Sequence, residues 1–184
     1  FDDFHIVDEK TEIDFESATV SFFKTTHSVP ESFGIVVKTR KGNIVYTGDF
    51  KFDQTAAVGY KTDLGRLAEI GHEGVLALLS DSANAENPKE TVDEHVIFDF
   101  ISETFEYHKG RIIVACVASN ILRVQQIFEA ASANDRKVVL TGHDAEKIVK
   151  TAMRLNKLHL PSDDLLVPLK DIKKYNDDEV VILE

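Results

Sequence analysis

The chain has 184 residues, with 21 Lys and Arg against 32 Asp and Glu for a formal charge of -11, 43% hydrophobic residues, one cysteine and no tryptophan. A chain this long hides roughly 70% of the surface it exposes when unfolded, which is enough for one domain or two small ones. Cys116 alone excludes a disulfide framework and a cysteine-based zinc cluster and fits a reducing, cytoplasmic setting, and the acidic balance excludes wrapping nucleic acid by bulk positive charge.

Strands are predicted over the first fifty residues. Ala18 to Thr25 and Phe33 to Thr39 are rich in β-branched and aromatic residues, and Lys41-Gly42-Asn43 supplies a turn into Ile44 to Thr47, which together predict an antiparallel meander. From Val75 the rhythm changes. Val75 to Leu79, Ile112 to Ala115, Val138 to Leu140 and Val180 to Leu183 are continuous apolar runs, the pattern of strands buried on both faces. Helices are expected between them. Thr91 and Glu94 have capping-box spacing ahead of a stripe formed by Val92, Val96, Ile97, Phe100, Ile101 and Phe105, and further helices follow Ser119 and Gly142-His143-Asp144. This alternation predicts an α/β fold with a parallel sheet, and the polar stretch Ser80 to Pro88 marks a boundary ahead of it. No run approaches the ~18 apolar residues of a membrane span. The opening Phe1-Asp2-Asp3 without Met, and an apolar run cut off at Glu184, create the expectation of a segment from a longer protein.

Two segments end strands with residues that can ligate a metal. In Thr25-Thr26-His27-Ser28-Val29-Pro30, the proline stops the strand so that the imidazole of His27 can project into a rim. In Thr47-Gly48-Asp49-Phe50-Lys51, Gly48 permits close backbone approach and the two oxygens of Asp49 can bridge two ions. Each has a commoner alternative: a hydrogen-bonded structural histidine, or a plain Gly-Asp turn.

Taken together with their spacing, these segments resemble the third and fourth motifs of the metallo-β-lactamase fold in its nucleic-acid branch, the β-CASP nucleases, with the nearest likeness to ribonuclease J. The likeness extends from Ala18 to Asp53, through Glu69-Ile70-Gly71 to Leu79-Ser80-Asp81-Ser82, and to Ala118-Ser119-Asn120-Ile121, thinning after Gly142. It implies the later part of a metallo-β-lactamase αββα sandwich over residues 1–88, followed by the first part of a β-CASP parallel-sheet α/β domain over 89–184. It also implies a site for two divalent metal ions, expected to be zinc, with His27 as a ligand and Asp49 bridging both. Asp81 is then a catalytic-site carboxylate, although an Asx turn after a strand is its ordinary use. Ser119 and Asn120 open a helix whose dipole and N–H groups favour an RNA phosphate, and Arg123 one turn on adds charge. The alternatives are an N-cap at Ser119 and a solvated surface arginine.

The resemblance implies a metal-dependent ribonuclease acting as an endonuclease, a 5′-to-3′ exonuclease or both. RNA is the expected partner, with a homo- or hetero-oligomer that includes a ribonuclease J paralogue, and no membrane. The match is incomplete in one decisive respect. The family signature His-x-His-x-Asp-His is absent, since no two of the seven histidines lie two residues apart. His27 and Asp49 alone are too few for a catalytic zinc, which takes about three protein ligands. The isolated segment is therefore expected to be inactive. Ala83 stands where the family usually has Thr, Leu122 where His is common, and His143-Asp144-Ala145 where Arg-Ser-Met is typical. That pattern resembles the catalytically weaker paralogue of the family. It raises the alternative of a non-catalytic partner subunit.

Overall fold

The structure is a computed structural model that describes residues 4–53, 55–56, 59–89 and 91–184; the opening Phe1-Asp2-Asp3 and the side chain of His143 lie outside the described residues. Two compact units divide the chain, one from Phe1–His27 with Glu31–Asp93 and one from Ser28–Pro30 with Glu94–Glu184.

In the first unit, β1 (Glu12–Asp14), β2 (Ala18–Lys24), β3 (Phe33–Thr39), β4 (Gly42–Tyr46) and β5 (Val75–Leu79) lie side by side in chain order. Neighbours from β1 to β4 pair antiparallel, as the alternation predicts. The turn between β3 and β4 falls earlier than expected, on Arg40 and Lys41. Its cause is Thr39, whose hydroxyl donates to the Gly42 carbonyl at 2.8 Å and accepts from the Lys41 N–H at 3.1 Å, closing a tighter loop. A helix that the sequence did not announce, α1 (Leu64–Glu73), leads from β4 to β5, so β5 pairs parallel with β4. Asp63 caps it by accepting the Arg66 N–H at 2.9 Å. Gly65 and Gly71 lower its intrinsic propensity, and the inward face from Leu67 and buried Ile70 holds it in place.

The core of this unit is Phe23, Val36, Val45 and Ile70 with Leu67 against them. Register brings Phe23 directly opposite Gly34, and the ring fills the space that a side chain there would need. A Cβ on Gly34 would lie 2.1 Å from the Phe23 Cζ. No side chain fits unless the ring leaves the core.

The expectation for Val75 to Leu79 needs correction. The strand forms, but all five of its residues are exposed. Side chains of a strand project from its two faces, and with all five exposed neither face of β5 is covered among the described residues.

The second unit contains α2 (Glu94–Tyr107), β6 (Ile112–Val114), α3 (Ile121–Ala133), β7 (Lys137–Leu140), α4 (His143–Arg154) and β8 (Val180–Leu183). Its sheet is wholly parallel, in the order β6-β8-β7. This is the predicted α/β alternation, with the last strand of the chain at the centre. Val124, Ile127 and Phe128 of α3 are fully buried and share one core with Phe105, Val138 and Val181. Cys116 packs against that core, and burial pushes its thiol up, as suits a small core residue.

Two expectations fail at the edges of this unit. In β6, Ile112 is buried on one face while Ile113 on the other is exposed, so the second face of this strand is uncovered among the described residues. Of the expected α2 stripe, Phe105 is buried while Val92, Val96 and Phe100 face solvent, and Val92 precedes the helix. Helical spacing alone does not identify which apolar row meets the core. No helix among the described residues is long and apolar enough to cross a membrane.

Gly34→Ala is expected to lower stability by about 1–3 kcal/mol through overpacking against Phe23. Urea denaturation monitored by circular dichroism measures it; an unchanged midpoint would mean that the ring moves aside freely.

Candidate active site

The site is assembled where β2, β4 and β5 end. Thr26, directly after β2, is fully buried and exchanges hydrogen bonds with Thr62: each backbone N–H donates to the other's hydroxyl at 2.9 Å. The Thr26 carbonyl accepts the Lys51 N–H, also at 2.9 Å. The chain just before His27 is thus fastened both to the lead-in of α1 and to the loop that carries Asp49.

That loop has its own constraints. Gly48 adopts φ +62, and a Cβ there would stand 3.0 Å from the Phe33 carbonyl oxygen, so glycine is needed on both counts. Thr47 donates its N–H to the Leu79 carbonyl at 3.0 Å, and its hydroxyl accepts the Asp81 N–H at 2.9 Å. Asp81 returns the link, accepting the Phe50 N–H on Oδ2 at 3.4 Å and the Ala83 N–H on Oδ1 at 2.8 Å. Lys51 pairs with buried Asp53 at 3.1 Å, and Asp53 accepts both the N–H and the hydroxyl of Thr55.

His27, Asp49 and Asp81 consequently line one open cleft of about 1030 Å³. His27 Nε2 lies 3.8 Å from Asp49 Oδ2, and the Asp49 side chain is 74% exposed. An imidazole and a carboxylate are suitable donors for zinc. Their number is not: among the described residues no group of three His, Cys, Asp or Glu could hold a metal ion. The residues present therefore do not by themselves fit a catalytic ion.

The sequence did not single out Thr26, Thr47 or Thr62, although they set this geometry. A threonine beside a strand end is too common to stand out before its partner 36 residues away is known.

Ser119, Asn120 and Arg123 lie in the other unit. The cap of α3 is Asn120 rather than Ser119, accepting the Arg123 N–H at 3.0 Å, while the Ile121 N–H goes to the Ser119 carbonyl at 2.9 Å. Arg123 is not a solvated surface residue. Its Nη2 meets Glu94 Oε2 at 3.1 Å, and Gln126 donates to the same oxygen at 3.4 Å, with both charged side chains largely buried.

With this geometry in view, comparison with known proteins is informative. Residues 109–184 match the family model described as "Ribonuclease J, beta-CASP domain". The whole chain is 57% identical over 184 residues to Ribonuclease J 2 of Streptococcus pyogenes serotype M3, and 98% of it is 45% identical to Ribonuclease J2 of Bacillus subtilis. The chain belongs to the ribonuclease J family. It covers 33% and 32% of the length of these two ribonuclease J relatives. A crystal structure of a protein of unknown function from Enterococcus faecalis V583 superimposes with a TM-score of 0.68 over 97% of this chain and 44% of that one. At 13% identity, this likeness concerns the fold alone.

Two outcomes follow from the site. Elemental analysis of the purified 184-residue chain is expected to find no stoichiometric zinc, and about two ions per chain would show a complete donor set within it. Glu94→Ala leaves the Arg123 charge buried without its carboxylate and is expected to cost about 3–5 kcal/mol. Denaturant titration checks this, and a loss below about 1 kcal/mol, the scale of an exposed pair, would contradict it.

Proposed function

We propose that the full-length protein hydrolyses RNA phosphodiester bonds with two divalent ions, zinc first among them, by internal cleavage, 5′-to-3′ exonuclease action or both. The observation that supports this reading is the meeting of His27, Asp49 and Asp81 on one cleft in a chain of the ribonuclease J family. Under it, residues 1–88 are the later part of a metallo-β-lactamase domain and 89–184 the first part of the β-CASP domain. A cytoplasmic setting belongs to the same reading, with the single cysteine as its support.

Each residue has a part. His27 and Asp49 would contribute ligands to such ions, together with further ligands from outside this chain. Such ions, when bound, polarise the phosphoryl oxygens and acidify a bound water. Asp81 keeps the Asp49 loop in register with the end of β5, since both its oxygens already accept backbone N–H groups. Ser119, Asn120 and Arg123 are proposed for the RNA backbone, with Arg123 reaching it only by releasing Glu94.

A second reading is a non-catalytic subunit that supports an active ribonuclease J paralogue in a homo- or hetero-oligomer. The departures at Ala83, Leu122 and His143-Asp144-Ala145 support it, as do relatives named Ribonuclease J 2.

The test is Asp49→Ala in the full-length protein. Metal-dependent RNA cleavage is expected to fall by more than about 100-fold, beyond the range for outer-shell partners of a metal site. The melting temperature should hold, because Asp49 is exposed. Equal cleavage by both proteins would refute the metal role of Asp49. A wild-type protein without cleavage that raises a paralogue's activity would select the second reading.

A further inference from the structure

Beside the ligand-type residues the cleft presents an aromatic pair to which the chemistry so far gives no role. Phe50 and Phe52 both line it, edge to face with ring centroids 5.2 Å apart. Phe52 is 61% exposed. Leaving much of a phenyl ring in water forgoes the gain of burying it, so its position needs an explanation. A loose loop does not supply one. The Phe50 N–H is held by Asp81, the Lys51 N–H by Thr26, and the Lys51 ammonium by buried Asp53. These contacts fasten the segment from beneath and fix the backbone that carries the rings.

Charge in the same cleft narrows what can sit there. Among the described lining residues, Asp49, Asp81 and Asp93 oppose Lys51 and Lys89, and Lys51 is already engaged with Asp53. A polyanion gains little from such a surface without metal ions. A neutral, flat, polarisable group gains a ring to stack on, and Asn84 and Asn87 on the rim offer amides to its edge.

We propose that Phe52, buttressed by Phe50, is a stacking platform for an unpaired RNA base in the cleft beside His27 and Asp49. This rests on the ribonuclease reading above and adds a determinant to it: the site selects single-stranded RNA through a base face more than through phosphate charge.

The experiment uses the full-length protein, wild type, Phe52→Ala and Phe52→Trp, with a fluorescent twelve-nucleotide oligouridylate and the same strand carrying abasic positions. Stacking on an aromatic ring is worth about 1–3 kcal/mol per base, so Phe52→Ala is expected to weaken binding by about 5- to 150-fold. Phe52→Trp should restore it, and the slope of log Kd against log salt should be the same for all three, because no phosphate contact is lost. Abasic RNA should bind wild type and Phe52→Ala alike. Matching melting curves separate a binding defect from a folding one. If wild type binds the RNA and Phe52→Ala binds it equally well, or if the abasic strand loses as much again on substitution, the platform is refuted while the ribonuclease reading stands. If wild type neither binds nor cleaves RNA, both are refuted.

Discussion

Thr26 is the point on which the first unit turns. Its N–H, hydroxyl and carbonyl are all engaged, the first two with Thr62 and the third with Lys51. Each hydrogen bond contributes only about 1 kcal/mol net. Their geometric effect is larger, because three segments far apart in sequence are fixed by one buried residue. His27 follows it directly, α1 starts two residues beyond Thr62, and Lys51, bridged to Thr26, lies between the two phenylalanines of the aromatic loop. A donor or acceptor orphaned here would carry a desolvation cost of about 1–3 kcal/mol, so the arrangement is held by penalty as much as by attraction.

Charge and rigidity divide the labour in the cleft. Asp81 is committed to backbone N–H groups, Lys51 to Asp53, and Asp49 is left as the exposed carboxylate nearest His27. The surface is thereby stiff, acidic and short of cations. This is the electrostatic setting in which divalent ions would bring RNA and carboxylates together, and it agrees with an overall charge that opposes non-specific nucleic-acid binding.

Much of the fold could be read from period and composition. β2 and β3 were visible because their alternation matches a half-buried pleat, and the βα alternation after residue 110 because buried parallel strands are uniformly apolar. α1 was not visible, since two glycines in ten residues weaken the helical signal and the packing of Ile70 is a tertiary fact. The apolar runs at β5 and β6 indicated strands correctly and burial wrongly, because burial depends on what packs over each face of the sheet. For the site, His27 and Asp49 stood out as ligand-type residues at strand ends, and their spacing gained meaning only through a family resemblance. The ion pair between Arg123 and Glu94 joins residues 29 apart and was out of reach of any local pattern.

The placement of β8 also has a bearing on how the molecule is made. Among the described residues, β6 and β7 are not ladder partners of each other; each pairs with β8, and Val138 of β7 also bridges Leu166. On a ribosome, α3 and its flanking strands would emerge with two unsatisfied edges facing an empty slot. The second unit has to wait for β8 to clear the exit tunnel before the facing edges of β6 and β7 are paired. Until β8 is in place those two edges are open to wrong pairing, which makes β8 a checkpoint on assembly as well as a strand.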